Sequence, residues 1–129
     1  MGVYWGMAAI KSSPLAGPAL RTFESIADRW RLKTADRRAL LGQVPAATYY
    51  RLRANADHAE IGADTLERIS HVLGIYKALH VLFSSDDYAD RWIAEPNAAF
   101  GGASAKERML AGFTQLVAVR TYLDAQRGW

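Results

Sequence analysis

The sequence predicts an all-α fold, and three observations lead to that prediction. Apolar residues recur at steps of three and four along most of the chain, as on the buried face of a helix. Glycines, prolines and capping residues mark where one helical run ends and the next begins. No stretch alternates apolar and polar residues as a half-buried strand does. We therefore expect four helices after an N-terminal leader and three more near the C-terminus.

The first three helices are marked by their ends. Pro18 suits a first helical position, and an apolar face follows it as far as Trp30. Thr34 is expected to cap a short second helix, which Gly42 ends because glycine readily adopts positive φ. Pro45 opens a third helix of about ten residues.

The fourth helix is predicted to be the longest. Asp64 is expected to cap it, with Glu67 completing a capping box. Its apolar residues follow a spacing close to a heptad, which indicates a core face and leaves a dimer seam as the alternative. This stripe comprises Leu66, Ile69, Leu73, Tyr76, Leu79 and Phe83.

Three shorter helices follow. Ser85 is expected to cap the first, which runs to Glu95 and is ended by Pro96. Ser104 is expected to cap the second, and Gly112 to separate it from the last.

Composition excludes several classes of protein. The 129 residues include no cysteine, which excludes disulfides, thiolate metal sites and a cysteine nucleophile, and agrees with a cytoplasmic location. The N-terminus lacks a basic start and a long apolar run, so a secretory signal is not expected, nor is a membrane span. Glycine and proline punctuate residues 1–18, which we expect to form a flexible leader.

Charge is distributed unevenly. Residues 1–53 contain nine basic and three acidic side chains, whereas residues 54–129 contain seven and ten. A basic front half favours phosphate contacts, although scattered surface charge is the alternative.

A helix-turn-helix motif is predicted in the basic half, within TADRRALLGQVPAATYYRLR. A short helix, a glycine turn and a second helix would place one face of the second helix in the major groove. An ordinary helical hairpin is the alternative. Candidate DNA-binding residues are Arg37, Arg38, Ala46, Ala47, Thr48, Tyr50, Arg51 and Arg53.

No active site is predicted. His71 and His80 are nine residues apart on one helix and point in opposite directions, and His58 lies in a polar loop, so no metal site is expected. Asp86 and Asp87 fall in the first turn of a helix, where carboxylates suit the helix dipole. No catalytic or nucleotide-binding motif occurs, and we expect no catalysis and no cofactor.

The last third of the chain carries an ordered set of turn residues. It reads W-x-x-x-P-N-x-x-F-G-G, then a capped helix, then GFTQLVAVRTYLD. Asparagine after proline can fix a turn, two glycines allow close backbone approach, and the aromatics would pin the turn to the bundle. The turn-shaping residues are Trp92, Pro96, Asn97, Phe100, Gly101 and Gly102.

This pattern resembles the C-terminal toxin-binding domain of the Xre/MbcA/ParS antitoxins, and residues 19–83 are similar to the Xre-like helix-turn-helix domain of that family. Two features depart from it: Ala103-Ser104-Ala105 replaces a common Pro-Leu pair, and Ala47 is unusual on the groove-facing helix. These departures affect the expected DNA sequence preference more than the class.

The resemblance implies an antitoxin of a type II toxin–antitoxin system. Its partner would be a RES-domain toxin that destroys NAD⁺, and the complex would repress its own operon. Residues 84–129 would bind the toxin, and the chain would be a homodimer within a hetero-oligomer, with no membrane partner. The candidate toxin-binding residues are Arg120, Tyr122, Gln126, Arg127, Gly128 and Trp129.

Two alternatives to this function remain at this stage. One is a stand-alone helix-turn-helix regulator whose C-terminal domain only dimerises. The other is a small enzyme without a local motif. A frayed C-terminal tail is likewise the alternative to a toxin contact by Trp129.

Overall fold

Seven α-helices and no β-strand are found within residues 14–128, the part of the chain that this computed structural model describes. The predicted all-α class is confirmed. Three 3₁₀ turns connect helices, at Ala56–His58, Trp92–Ala94 and Ala98–Phe100. The helices are α1 (Ala16–Arg29), α2 (Thr34–Leu40), α3 (Ala46–Ala54), α4 (Ala63–Leu82), α5 (Asp86–Arg91), α6 (Ala105–Leu110) and α7 (Phe113–Gln126).

Helix α1 begins at Ala16, earlier than predicted. Pro18 is its third residue and not its first. Proline is still compatible with this position, because N–H groups in the first turn have no partner within the helix and its missing N–H costs no hydrogen bond. Leu20, Phe23 and Ile26 are buried on one face. The expected leader of residues 1–18 is therefore partly helical, while residues 1–13 lie outside the described part of the chain.

Two of the four predicted helix caps are wrong. The N-cap of α2 is Lys33, with no side-chain bond, and Thr34 is already helical. The N-cap of α4 is Gly62, and Asp64 lies within the first turn, where its carboxylate is 3.1 Å from Nε of Arg68. A carboxylate in the first turn suits the helix dipole, so Asp64 stabilises the same helix end in another way.

The two serine caps are confirmed. The side chain of Ser85 accepts a hydrogen bond from the N–H of Tyr88 (3.2 Å), and that of Ser104 accepts one from the N–H of Glu107 (3.1 Å). Gly112, at φ 148°, separates α6 from α7 as predicted. Helix α5 ends at Arg91, and a 3₁₀ turn continues it to Ala94.

Helix α4 is the centre of the core. It packs against α1 and α7, and its buried side chains are Ile69, Val72, Ile75, Ala78 and Leu79. Only two residues of the predicted heptad stripe belong to that set, and the other four are half-buried. The prediction is wrong about which side chains of α4 are buried. Two helices cover α4 from different sides, and together they bury a band wider than one heptad seam.

The N-terminal and C-terminal helices contact each other directly as well as through α4. Nζ of Lys106 on α6 is 3.5 Å from a carboxylate oxygen of Asp36 on α2, and Arg29 on α1 is 3.8 Å from Asp90 on α5. These contacts hold the helix-turn-helix and the C-terminal helices in a defined arrangement. None of the described helices is long and apolar enough to cross a membrane.

Candidate nucleic-acid interface and C-terminal surface

The turn between α2 and α3 is held by backbone and side-chain hydrogen bonds. Gly42 has a φ of 111°, which a side-chain-bearing residue rarely adopts. Arg38 accepts a hydrogen bond on its carbonyl from the N–H of Val44 (3.2 Å), and its Nε donates to the Val44 carbonyl (2.9 Å). From α4, the Thr65 hydroxyl donates to the carbonyl of Leu41 (3.0 Å). The turn therefore sets the angle of α3 rigidly.

Helix α3 turns one face inward and the other to solvent. Tyr49 and Leu52 are buried against the core. At about 100° per residue, the opposite face is centred on Ala47, Tyr50 and Arg51, and all three are exposed. Of the other candidates on this helix, Ala46 is exposed and Thr48 is half-buried. The exposed face is therefore the one that the sequence predicts for a DNA groove.

Arg37, a predicted DNA contact, lies inside the fold. Its side chain is 10% exposed, and Nη1 is 2.6 Å from the carboxylate of Glu24. Nη2 is 2.9 Å from Asp28, and Nε donates to the carbonyl of Leu32 at 3.0 Å. With its donors used by α1 and the following loop, Arg37 fastens α2 to α1 and does not face an external phosphate.

The same cluster includes the buried Tyr49. Its hydroxyl donates to the second carboxylate oxygen of Glu24 at 2.5 Å. Burial and this hydrogen bond raise the pKa of Tyr49, so the phenol stays protonated and keeps donating. Burial alone would lower the pKa of Arg37, but hydrogen bonds with Asp28 and Glu24 raise it overall. The charged cluster thus ties α1, α2 and α3 together.

Four exposed cations near the motif have no ion pair within residues 14–128. They are Arg31 and Lys33, just before α2, and Arg51 and Arg53 on α3. The sequence-based prediction included the two arginines of α3 but missed the two residues before α2. A signal for them was present in the sequence, because the first helix of a helix-turn-helix crosses the DNA backbone and basic residues directly before that helix are candidates for phosphate contacts.

The two arginines of α3 differ in direction. Arg51 lies on the outward face, whereas Arg53 is only about 40° around the helix from the buried Tyr49 and borders a small cavity beside Glu24. Arg38 is half-buried and bound to the turn. Arg51 is therefore the arginine best placed to meet a ligand on this face.

The loop after α5 is closed by hydrogen bonds centred on Asn97. Its side-chain oxygen accepts from the N–H of Ala99 (2.9 Å), and its backbone bonds to Ala103 (3.1 Å) and Gly102 (2.9 Å). Gly101 and Gly102 have φ values of 66° and 90°. Pro96 forms an isolated antiparallel bridge with Ser104, which closes the loop at its base.

Three aromatic rings attach this loop to the last helix. Trp92, Phe100 and Tyr122 form a triangle with ring centroids 5.2 to 6.5 Å apart, typical of packed aromatic pairs. Arg108 adds a hydrogen bond to the carbonyl of Phe100 (2.9 Å). The loop therefore fixes the position of α7, and Tyr122 is half-buried in this cluster.

Arg120 packs between α7 and α4. Its Nη1 is 3.3 Å from Nδ1 of His71 and 3.4 Å from the carbonyl of Ser70, and its Nε is 3.6 Å from Asp124. A Cβ atom at Gly74 would lie 2.5 Å from the guanidinium carbon, so Gly74 makes the room that Arg120 occupies. Burial and the nearby arginine lower the pKa of His71. About a third of the Arg120 side chain stays exposed.

The end of α7 is only partly available to a partner. The Arg127 side chain is 7% exposed and lies 4.0 Å from Asp124. Gln126 and Gly128 are exposed, and Trp129 lies outside the described residues. Sequence reasoning missed the outward face of α7, where small side chains at every third or fourth position are exposed; these are Thr114, Ala118, Thr121 and Ala125.

No group of three or more metal-ligating side chains occurs in residues 14–128. His80, the histidine with the closest carboxylates, has Asp86 at 3.1 Å from one ring nitrogen and Asp90 at 2.9 Å from the other. These contacts join α4 to α5.

Comparison with known proteins decides the family. The antitoxin Xre-like helix-turn-helix domain matches residues 15–74, and the antitoxin Xre/MbcA/ParS C-terminal toxin-binding domain matches residues 78–128. The chain belongs to the Xre/MbcA/ParS antitoxin family. The antitoxin is also 46% identical over 110 residues to the uncharacterized protein y4oB of Sinorhizobium fredii (strain NBRC 101917 / NGR234), covering 84% of each chain. No solved structure gives a significant match.

The two matched regions meet within α4. Residues 15–74 contain α1 to α3 and the first part of α4, and residues 78–128 contain its end and α5 to α7. One helix thus contributes to the core of both parts of the antitoxin. The helix-turn-helix domain and the toxin-binding domain are therefore joined by a continuous helix and not by a linker.

Proposed function

We propose that the antitoxin neutralises a RES-domain toxin that degrades NAD⁺, by covering the toxin's active site. We further propose that it represses its own operon by binding DNA. The observation that carries this proposal is the presence, on one chain, of a helix-turn-helix with an exposed basic helix and a matched toxin-binding domain. Covering a pocket needs no chemistry from the antitoxin, so we assign it no catalysis and no cofactor, and a cytoplasmic location.

For DNA binding, we assign Arg51 and Tyr50 to the groove-facing surface, with Ala46 and Ala47 near a thymine methyl. Thr48 is placed at its edge, and Lys33 beside the backbone of the operator. Arg37 is left out because Glu24 and Asp28 occupy its donors.

Because one α3 reads few bases, we propose that a homodimer binds a two-fold-symmetric operator. This dimer would form through the C-terminal part and assemble with the toxin into a hetero-oligomer. Light scattering on the purified chain and on the complex measures both states.

For toxin binding, we assign the exposed residues Gln126 and Gly128, together with Trp129 and the outer part of Arg120. Arg127 and Tyr122 would act by positioning this end, since Arg127 packs near Asp124 and Tyr122 packs in the aromatic triangle. A stable complex is expected to bury more than about 1,000 Å².

A crossed experiment tests both activities. The chain ending at Arg127 lacks Gly128 and Trp129 but keeps Arg127, and Arg51→Ala removes one exposed cation that has no ion pair among residues 14–128. Each variant is co-expressed with the RES-type toxin that we propose is encoded beside its gene. Cell survival and the cellular NAD⁺ level are measured, and so is binding to duplex DNA from upstream of the operon.

The truncated chain is expected to lose protection and keep DNA binding, and Arg51→Ala is expected to do the reverse. Full protection by the truncated chain would contradict the assignment of the tail. Unchanged DNA affinity and salt dependence in Arg51→Ala would contradict the assignment of α3. A chain that binds DNA but no neighbouring toxin would instead be a stand-alone regulator.

A further inference from the structure

An apolar groove opens beside α4. It has a volume of about 670 Å³ and lies between the start of α1 and the first half of α4. Leu15 and Pro18 form one wall, and Leu66 and Leu73 form the other. Glu67 stands on the α4 side of the groove with its side chain 62% exposed. The half-buried leucines of the sequence-predicted stripe thus line a groove and not the closed core.

We infer that this groove is the docking site of residues 1–13 of the same chain. This segment joins the described structure at Pro14, which precedes Leu15 of the groove wall and itself lines a neighbouring polar cavity with Gly17 and Arg21. Eight of its thirteen residues are hydrophobic, including Tyr4 and Trp5, and its only charged side chain is Lys11. Tails that remain in solvent are poor in aromatic residues and rich in charge, so this composition favours a buried partner.

The dimensions and charges agree with such an occupant. From Ala63 to Leu73 the α4 wall extends about 15 Å at 1.5 Å per residue. Thirteen residues can span about 40 Å when extended, so the segment can follow the wall and still turn back. Lys11 is the one basic side chain of the segment, and Glu67 on the α4 wall of the groove carries the opposite charge. Covalent attachment keeps the effective concentration of the segment high beside the groove.

The absence of cysteine allows a direct test in the full-length chain. Ala8→Cys is combined with Ser70→Cys, on the groove wall, or with Ser25→Cys, on the α1 surface that borders a different cavity. Both serines are exposed, and they probe different faces of the protein. Disulfide formation under mild oxidation is followed on non-reducing gels and by peptide mass spectrometry.

The Ser70 pair is expected to form an intramolecular disulfide at least about five-fold faster than the Ser25 pair, because a docked segment raises the local thiol concentration. Deleting residues 2–13 is expected to increase the fluorescence of an apolar dye several-fold by uncovering the groove. Equal rates for the two pairs, with no gain in dye binding, would overturn the proposal. A Ser70-dependent disulfide between two chains, with a dimer that persists after the deletion, would overturn it in favour of a second copy.

Discussion

Arg37→Ala separates an internal role for this arginine from a DNA contact. The substitution removes the ion pairs with Glu24 (2.6 Å) and Asp28 (2.9 Å) and the hydrogen bond to the Leu32 carbonyl (3.0 Å). Glu24, with its side chain 18% exposed, would then carry a largely buried charge, and within residues 14–128 the Tyr49 hydroxyl would be its remaining partner. Removing one partner of a buried ion pair costs about 3–5 kcal/mol.

The exposed Asp28 adds little to this loss, because a solvent-exposed pair contributes about 0–1 kcal/mol. We therefore expect a loss of about 3–4 kcal/mol in the free energy of unfolding, at the lower end of the buried-pair range. For a chain of this size that corresponds to a decrease in Tm of roughly 10–15 °C. Adding Glu24→Gln removes the unpaired charge and should restore more than about 1 kcal/mol, a coupling that only neighbouring groups show.

The assay pairs thermal unfolding with DNA binding as a function of salt, below the Tm of every variant. Arg37→Ala should lower the Tm and leave the salt slope unchanged. Arg51→Ala is the control: it should leave the Tm unchanged and reduce the slope by about 0.9 for each DNA phosphate that the variant no longer neutralises. An Arg37→Ala variant with the parental Tm and a smaller salt slope would refute the internal assignment.

Three further predictions concern the C-terminal half. In the parent chain, Gly74→Ala should leave the free energy of unfolding unchanged or lower it, because the new Cβ displaces the Arg120 guanidinium. In an Arg120→Ala background the same change should raise the free energy of unfolding by about 1 kcal/mol, because only helix propensity then acts. Denaturant titrations of the four chains measure this, and equal effects in both backgrounds would contradict it. Trp92→Ala should lower the free energy of unfolding by about 3–4 kcal/mol, because it removes one ring of the aromatic triangle. Toxin binding should weaken in proportion to this loss of stability. An unchanged unfolding midpoint would show that other contacts hold the loop. His71 has a pKa lowered by folding, so the unfolded chain binds more protons and stability falls as the pH drops below about 6.5. His71→Gln should make the Tm difference between pH 7.5 and pH 5.5 smaller, and an equal difference in both chains would count against this shift.

Local sequence signals were sufficient for most of the secondary structure. Ser85 and Ser104 cap the helices expected of them, and Gly112 separates the last two. The turn at Asn97 forms as its neighbours predict. These features depend on residues within four positions of each other, which is the range of caps, turns and helical periodicity. The same signals place the helix-turn-helix and indicate which face of α3 is exposed.

The sequence by itself therefore determined the helices, the motif and the order of the two functional parts. Only the tertiary structure decided which charged and apolar side chains those parts present. Arg37 and Arg51 are both arginines of the motif, but α1 supplies carboxylates to the first and nothing described covers the second. Leu66 and Leu73 fit a heptad, but packing of α4 between α1 and α7 places them beside a groove. The physical reason is the same in both cases: burial and pairing depend on elements distant in sequence, and local spacing carries no information about which element will lie opposite.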